Sequence, residues 1–538
     1  MALKKTALAL VGVAAAAALT LAGCGTTNPS SPSGGTPGES KPPAGLQHIV
    51  LGTTDKLTSL DPAGSYDHGS LGVQIQVFSF VYTFVPGKNT PQPDAAESCS
   101  FSQPTVFTCK IRTGMKFANG HDLTSTDIKF TFDRQMKIND PNGPASLLSN
   151  LATVDAPDAT TVNFNLKAAN DQTFEQILAT AVGPIVDEEV FPADKLIKDE
   201  DIVAAKAFSG PYTITSYTKN DTVEFTPYDG YVGAQPKPAN SGVTQKTFTD
   251  QTNLKLSITK GDIDVAYRSF SPSDIAALQT DSSVKVWSAK GGEIRYMVFN
   301  LKTMPGDTDA QKFAIRQAVA SSIDRDALSK QVYKEQYAPL CSYVPDGYVG
   351  ANKAVCDAYP LDKAKAAQYL KDAGVATPVT LQIQYNPDHY GASSAQEYGL
   401  VKQQLEATGL FSVNLQSTEW VTYSKERVAD AYPVYQLGWF PDFPDADNYL
   451  NPFFGSENFL KNHFSNADID AALQKEVSET DAAARAQQIQ DIQTTLATKH
   501  LSTIPLLQGS QWAVSRTNVT GIELGVDENL HFATIAKG

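Results

Sequence analysis

Alternation of apolar and polar residues predicts short strands in the first half of the chain. In ATTVNFNLKA (residues 159–168) apolar side chains recur at every second position, as in a strand that is buried on one face. The stretch FSGPYTITSYTKNDTVEFTPYDGYVG (residues 208–233) repeats this alternation on both sides of a turn and predicts a hairpin. Earlier in the chain, Thr124 or Ser125 precedes apolar residues at helical spacing and is expected to cap a helix.

Strands and helices alternate in the second half of the chain. EIRYMVFNL and VTLQIQYN predict strands, whereas TDAQKFAIRQAVASSIDRDALSKQVY and QEYGLVKQQLEATGL have the apolar spacing of helices. Thr308 or Asp309 is expected to cap the first of these helices. Gly374 is expected to end another helix, in the left-handed position that favours glycine. Together the two halves predict a mixed α/β body.

Residues 1–23 have the layout of a secretory signal peptide. Lys4 and Lys5 precede an apolar run from Ala7 to about Leu21, which is too short and wrongly flanked for a permanent membrane span. The ending LAGC resembles a bacterial lipobox, which predicts that Cys24 becomes the mature N-terminus and carries a diacylglyceryl group. The alternative is an ordinary signal peptide followed by a chance cysteine.

Residues 24–45 are predicted to form a lipidated flexible tether. Gly, Ser, Thr and Pro dominate this segment, and it has no apolar periodicity from which a core could be built. A flexible chain of this length has an end-to-end distance of roughly 25 Å. Such a tether would hold a folded body away from a membrane surface.

Four further cysteines fall into two close pairs, and an exported chain resides where disulfides persist. They allow three connectivities. The two local pairs, Cys99–Cys109 and Cys341–Cys356, are favoured because each closes a short loop, and four buried thiols are the alternative. No second Cys or His lies at ligand spacing, so that a metal site is not expected.

Charge and length restrict the class of protein further. The formal net charge is -15, and loss of two lysines with the signal peptide makes it -17, which argues against nucleic-acid binding through a basic face. Nearly 500 residues follow the tether, which is too many for one hydrophobic core. We therefore expect two or three lobes with a cleft between them.

Several phrases resemble a known family, and they occur in the family's order from Gln47 to about Phe532. They are LTSLDPAG, GMKFANGHDLTSTDIKFTFDR, SGPYTITSY, LSITKGDIDV, FNLKTMPGDTDAQKFAIRQAVASSIDRDAL, NLQSTEWVTYSKER and LGWFPDFPDADNYLN. The chain resembles the bacterial extracellular solute-binding proteins (family 5) that include the oligopeptide- and dipeptide-binding proteins of ABC transporters.

The resemblance implies a two-lobed periplasmic-binding-protein fold of type II, cluster C-like, with an extra inserted domain. Two crossing strands would form a hinge between the lobes, and the cleft would close over ligand. The implied boundaries are 46–70, 205–275 and 510–538 for domain I, 71–204 for the inserted domain II, and 276–509 for domain III.

The resemblance also implies a peptide-binding strand near the C-terminal end. In oligopeptide-binding members such a strand pairs with the peptide backbone, and an aspartate after it binds the α-ammonium group. Leu437, Gly438 and Trp439 occupy the strand positions, and Asp442 occupies that of the aspartate. Strand addition gives affinity without reading side chains, and a buried ammonium requires a charged partner. The alternative is that Asp442 caps a turn beside two prolines.

Other ligand-binding candidates are carried over from the same family by position. Trp420 matches an aromatic residue of the cleft, and Arg427 matches a cation near the ligand carboxylate. Gln436 stands where a second arginine would be expected, which puts recognition of a carboxylate at fixed peptide length in doubt. The alternative is a core position for Trp420 and an exposed helix position for Arg427. The remaining candidates are His389, Tyr66 and His68, with loop surface as the alternative role.

The resemblance and the absence of enzymatic motifs predict a binding protein rather than an enzyme. The expected function is that of a lipoprotein on the extracytoplasmic face of the cell membrane. It would deliver peptides, as a monomer without a cofactor, to the permease and ATPase complex of an ABC importer. Two alternatives stay open: the same fold binding an oligosaccharide, a metal chelate or haem, and a lipoprotein receptor for a peptide signal without import.

Overall fold

A computed structural model describes residues 45–538 with the exception of 269 and 392. The predicted signal peptide (1–23), the lipidation site Cys24 and nearly all of the predicted tether lie outside the described residues. Within the described part, no helix has the length and apolar character needed to cross a membrane.

Strands run through the whole of the described part. They are β1 Ile49–Thr53, β2 Tyr82–Thr83, β3 Gln92–Pro93, β4 Ala96–Gln103, β5 Val106–Ile111, β6 Leu151–Asp158, β7 Thr161–Leu166, β8 Tyr212–Thr218, β9 Thr222–Pro227, β10 Val243–Thr247, β11 Val265–Tyr267, β12 Val284–Phe299, β13 Tyr337–Pro339, β14 Val379–Tyr385, β15 Phe411–Ser417, β16 Val434–Trp439, β17 Thr503–Arg516, β18 Val519–Thr520 and β19 Ala536–Lys537.

Helices alternate with these strands, most densely after β12. They are α1 His68–Val77, α2 Ser125–Ile138, α3 Phe174–Ile177, α4 Asp199–Ala205, α5 Gln251–Lys260, α6 Pro272–Leu278, α7 Asp309–Ala320, α8 Arg325–Ala327, α9 Ala354–Ala358, α10 Lys363–Asp372, α11 Ser394–Ala407, α12 Trp420–Glu426, α13 Asp447–Phe454, α14 Ala467–Val477 and α15 Ala482–Thr495. Two short π-helical turns follow α8 and α15, at Leu328–Val332 and Leu496–His500.

One mixed sheet of eleven strands connects the two lobes. Its order is β15-β14-β16-β12-β17-β11-β1-β10-β9-β8, and β13 pairs with β17 beside this path. The first lobe contains the β1 and β8–β11 end of the sheet together with a separate antiparallel sheet in the order β4-β5-β7-β6. The second lobe contains the β14–β16 end. Each lobe has hydrophobic clusters of its own, and the small antiparallel sheet has a further one.

Strands β12 and β17 are long enough to run from one lobe into the other. They pair over Val284–Lys290 and again from Ile294, and the register shifts between these two segments. The C-terminal part of β17, around Ala513–Ser515, pairs with β11, whereas the C-terminal part of β12, from Ile294, pairs with β16. The irregular centre therefore lies where two crossing strands are expected to form a hinge. The domain boundaries given above stay a prediction.

Local sequence signals agree with the elements. Thr124 caps α2 in a capping box with Asp127, and Thr308 caps α7. Gly374 follows α10 with φ +66°, as expected for a glycine in the left-handed region. The hairpin β8–β9 has a register shift after Ile214, which explains why its apolar alternation changes phase there.

The cysteines form disulfides in the two local pairs that the sequence favours. Cys99 of β4 is joined to Cys109 of β5, and Cys341 is joined to Cys356 of α9. Each bridge links segments that already lie side by side, so that it restricts the unfolded chain without constraining one lobe against the other.

Candidate ligand-binding site

A cavity of about 470 Å³ lies between the lobes, beside the irregular centre of β12 and β17. We call it the ligand cavity. Its wall takes residues from the first lobe, from both crossing strands and from the second lobe. The rings on the wall are Tyr267, Phe270, Tyr333, Tyr337, His389, Tyr390, Phe440 and Trp512, and the charged residues are Asp55, Arg268, Glu293, Arg295, Asp388 and Glu528.

Arg295 of β12 is the most deeply buried cation on this wall, with a side chain that is 4% exposed. Its guanidinium pairs with the Glu293 carboxylate and donates from Nη2 to the carbonyl oxygen of Tyr390 at 3.0 Å. The guanidinium carbon also lies 4.6 Å from the centre of the Tyr390 ring. Burial lowers the pKa of Arg295, but the combined attraction of Glu293, Tyr337 and other acidic groups around it holds the pKa above its usual value. Among the described residues, neither Nε nor Nη1 has a hydrogen-bond acceptor.

Carboxylates surround the same cavity. Glu293 accepts a hydrogen bond from the Tyr337 hydroxyl at 2.7 Å, and Glu528 accepts one from the backbone N–H of Gly292. Burial raises the pKa of Glu528. Arg268 lies with Nε 3.4 Å from the Asp55 carboxylate. The wall thus presents both signs of charge at partly or fully buried positions such as Arg295 and Glu528, where electrostatic interactions are strengthened.

Two of the charged wall residues have strained backbones. Arg268 has φ +61° and Glu528 has φ +55°, in the left-handed region that side chains other than glycine rarely adopt. Strain of this kind persists only where the surrounding structure enforces it, and it concentrates at functional sites.

The predicted aromatic candidates His389 and Trp420 lie together. Their rings are stacked with centres 3.8 Å apart and planes 6° apart, and His389 lines the ligand cavity with Trp420 behind it. Burial, followed by the charge of Arg295, lowers the pKa of His389 to about 4. The imidazole is therefore neutral at physiological pH and presents an uncharged aromatic surface.

The three predicted strand residues of β16 do not line the ligand cavity. Leu437 is fully buried in the core of the second lobe. Trp439 donates from Nε1 to Asn448 at 2.9 Å and packs against Phe453. The pairing of β16 with β14 ends at Tyr435, so the following edge has no strand partner among the described residues. The peptide-pairing role of these residues stays a prediction.

Gly438 has a supporting position behind the cavity wall. A Cβ atom here would lie 2.8 Å from the backbone oxygen of Ile294 and 3.0 Å from both Arg295 Nη1 and the Tyr390 ring. The missing side chain is what lets Arg295 and Tyr390 pack across the strand.

The predicted ammonium anchor Asp442 lies outside the wall of the ligand cavity. Its carboxylate accepts a hydrogen bond from the Tyr66 hydroxyl and another from Asn448 Nδ2 at 3.1 Å. Burial raises the pKa of Asp442. Tyr66 belongs to the first lobe, so this contact joins the two lobes. Binding of a ligand amine by Asp442 stays a prediction, as does a ligand contact of Tyr66.

Arg427 and His68 are not among the residues that line the ligand cavity, although His68 lines a small adjoining pocket that shares Arg268 and Glu528 with it. Arg427 is buried and donates from Nη1 to the carbonyl oxygen of Phe459 at 3.1 Å. His68 has an Nδ1 atom without a partner among the described residues, and its ring is edge-on to Phe440. The charge of Arg268, followed by burial, lowers the pKa of His68 to about 3. Their roles in ligand binding stay predictions.

The charged wall residues were missed by sequence reasoning, although part of the signal was present. Glu293 and Arg295 interrupt the apolar run EIRYMVF at alternate positions, which places both on one face of a strand. A charged pair inside a buried strand requires a reason beyond packing. Glu528 follows β18 in a loop and gave no such signal. In the described part of the chain, no group of three His, Cys, Asp or Glu side chains is placed to hold a metal ion.

Comparisons with known proteins identify the family. Residues 90–461, more than half of the chain, match the model described as "Bacterial extracellular solute-binding proteins, family 5 Middle". Among curated proteins, "Heme-binding protein A" of Haemophilus influenzae is 24% identical over 77% of this chain and 78% of its own length. "Di/tripeptide-binding protein 3" of Pseudomonas aeruginosa is 26% identical over 80% of this chain and 83% of its own length.

The fold agrees with solved structures. The dipeptide binding protein from Pseudoalteromonas sp. SM9913 in complex with Met-Leu superposes with a TM-score of 0.72 at 21% identity, over 91% of this chain and all of that one. The two-lobed α/β architecture predicted from the sequence is thus confirmed, and members of this family bind solutes rather than catalyse reactions. The chain belongs to the bacterial extracellular solute-binding proteins of family 5.

Proposed function

We propose that this chain is the substrate-binding component of an ABC importer and that it captures short peptides in the ligand cavity. The observation that carries the proposal is the charge arrangement on the cavity wall. Arg295 places a buried guanidinium on this wall, and the carboxylates of Asp55, Glu293 and Glu528 share it. A short peptide is a zwitterion whose carboxylate and ammonium groups require these two partners when they leave water.

The size of the ligand cavity favours a small ligand. Its volume of about 470 Å³ lies within the range of roughly 300–1,000 Å³ that is typical of small-molecule sites. Rings on the wall, such as Tyr390 and Phe440, supply apolar contact area to side chains of varied shape. A di- or tripeptide is therefore the expected length, in line with the printed name of the Pseudomonas relative.

The place of action in this proposal rests on the first residues of the chain. A signal peptide ending in LAGC, with Cys24 as the lipidated residue, would hold the binding protein on the extracytoplasmic face of the cell membrane. A monomer on a flexible tether could then reach its permease and deliver the peptide. Globomycin treatment, which blocks the lipoprotein signal peptidase, should cause the unprocessed form to accumulate; export without such accumulation would contradict lipidation.

Calorimetric titration tests the ligand class. The purified chain should bind a mixture of di- and tripeptides, and N-acetylated and C-amidated forms of the same peptides should bind more weakly because each loses one charged end. Haem, an oligosaccharide and a nickel chelate serve as competing ligands. Saturable binding of one of these, with no heat from any peptide, would contradict the proposal.

A further inference from the structure

A second pocket, remote from the ligand cavity, lies in the second lobe and has a volume of about 580 Å³. We call it the basic pocket. It lies between the start of α7, the loop around His463 and the π-helical turn after α15, and it shares no described residue with the ligand cavity. Its basic side chains are Lys302, Lys312, Arg316, His463, Lys499 and His500, and Asp309 is the acidic residue on its wall. Such a cluster contrasts with the net charge of -15.

Arg316 is a buried cation that forms no ion pair with any described residue, although the Asp309 carboxylate on the same wall attracts it. The residue is 7% exposed, and its guanidinium donates from Nη2 to the carbonyl oxygen of His500 at 3.0 Å. Nη1 lies 3.3 Å from the sulfur of Met304, and Nε has no acceptor among the described residues. Burial lowers the pKa of Arg316 to about 10. A guanidinium taken out of water without a counter-ion is costly, which favours an anion as the missing partner.

Two lysines add uncompensated charge to the same pocket. Lys312 donates to the carbonyl oxygen of Leu301 at 2.7 Å, and Lys499 is exposed on the π-helical turn. None of the ion pairs between described residues includes Lys312, Lys499 or Arg316. Lys302 differs, because its ammonium lies 2.7 Å from the Asp430 carboxylate.

The opposite edge of the pocket is neutralised. Asp430 accepts from both Lys302 and His463, at 2.7 and 2.6 Å. These contacts hold the pKa of Asp430 below its usual value. The positive field is therefore concentrated on the Lys312, Arg316 and Lys499 side. A π-helical turn forms this side, and such turns occur frequently at functional sites.

We propose that the basic pocket is a second binding site, which takes a phosphate group carried by a larger molecule. Two ammonium groups and a guanidinium provide the charge and the N–H donors that a phosphate requires. The volume exceeds what one phosphate fills, which leaves room for the group that bears it. A soluble phosphate ester and a phospholipid headgroup share this chemistry.

Binding measurements on the full chain test this site independently of peptide binding. Glycerol 3-phosphate and inorganic phosphate probe the soluble source by calorimetry. Vesicles of phosphatidylglycerol, against vesicles of phosphatidylcholine, probe the headgroup. We expect saturable binding in at least one arm, with glycerol 3-phosphate binding identifying a soluble ester and binding to anionic vesicles alone identifying a headgroup.

Substitutions distinguish binding in the basic pocket from a general effect of surface charge. Lys499→Gln, at an exposed position that folding tolerates, should weaken binding by about tenfold, as expected for one charge-assisted hydrogen bond. Arg316→Gln should weaken it further if the variant folds. Lys475→Gln, an exposed lysine on α14, is the matched control and should leave binding unchanged. Absence of binding to both the soluble phosphate compounds and the anionic vesicles would overturn the proposal, as would an equal loss of affinity in the Lys499 and Lys475 variants. Peptide titration of the same samples shows whether the ligand cavity is intact.

Discussion

Arg295 determines, at the scale of single residues, how the ligand cavity can hold a negative charge. Its buried guanidinium lies on the cavity wall, where Nη2 is held by the Tyr390 carbonyl oxygen and the Glu293 carboxylate. We expect Arg295→Gln to weaken binding of a dipeptide by about 2–5 kcal/mol, because the ligand carboxylate would lose a buried charged partner. Calorimetric titration of wild type and variant measures this difference.

Arg427→Gln is the control that distinguishes the role of Arg427 from that of Arg295 in binding the ligand carboxylate. Arg427 was the sequence-based candidate for the ligand carboxylate, but its guanidinium donates to backbone carbonyls of Phe459 and Leu460. We expect this variant to lose thermal stability and to keep its peptide affinity. If the Arg427→Gln variant loses peptide affinity and the Arg295→Gln variant keeps it, the ligand carboxylate binds at Arg427, as the family resemblance implies.

A second prediction at the scale of single residues concerns Gly438. In Gly438→Ala the new methyl group would meet a backbone oxygen at 2.8 Å and Arg295 Nη1 at 3.0 Å. Overpacking of this kind costs about 1–3 kcal/mol, and displacement of Arg295 should also weaken peptide binding. Gly399→Ala in α11 is the control, because no atom lies within 4 Å of its added Cβ and alanine favours a helix. Chemical unfolding should show destabilisation in the first variant alone.

Three helices of the second lobe are tied together by a buried acidic cluster. Asp445, just before α13, forms a bidentate pair with Arg485 of α15 at 2.7 and 2.9 Å. Glu476 of α14 pairs with the same guanidinium at 3.0 Å, and it interacts with Asp447, the first residue of α13. Burial raises the pKa of Asp447 well above its usual value. The DFPDADNY segment is thus a structural junction between these helices.

This cluster predicts a pH dependence of stability. Burial, followed by the charge of Asp445, raises the pKa of Glu476 from 4.5 to about 7. The folded state keeps a proton that the unfolded state releases, so the stabilisation is fully present below pH 4.5 and is lost as the pH rises towards 7. Glu476→Gln stays neutral in both states and should reduce this dependence, while Asp447, whose pKa burial also raises, keeps part of it. Glu457→Gln, at a side chain that is 99% exposed, is the control. Urea unfolding at several pH values should show that this variant keeps the wild-type dependence of stability on pH.

Elements were predictable from the sequence where local interactions decide them. The capping box at Thr124 and the left-handed Gly374 depend on neighbours within a few residues, and both were found where expected. The phase change in the β8–β9 hairpin was not anticipated. A register shift between two strands depends on how they pair, and the alternation of one strand does not reveal it.

The ligand cavity is a property of the whole molecule, and this explains why most of its wall was missed. Gly292 and Glu528 are hydrogen-bonded although 236 residues separate them in the chain. Only the crossing of β12 and β17 brings them together, and no sequence window spans that contact. Family resemblance carried the predictions to residues on β16 and its loop, and of the nine ligand-binding candidates His389 lines the cavity.

Contacts between the lobes predict how closure is coupled to binding. The Tyr66 hydroxyl donates to Asp442, and Gln176 donates to Asp445 at 2.9 Å, so each bond joins the first lobe to the second. Each contributes about 0.5–1.5 kcal/mol to the closed arrangement. Apparent affinity scales with the fraction of molecules that are closed, so the double variant Tyr66→Phe, Gln176→Ala should bind peptide more weakly.

Small-angle scattering distinguishes a shift in closure from damage to the site. Without ligand, the double variant should have a larger radius of gyration than wild type, and saturating peptide should remove the difference because binding energy restores the closed state. Tyr228→Phe is the control, since its hydroxyl donates to Phe117 within the first lobe at 3.2 Å. If the double variant loses affinity while its unliganded radius matches wild type, these two bonds act on the ligand rather than on closure, and this result would support Asp442 as the partner of the ligand amine.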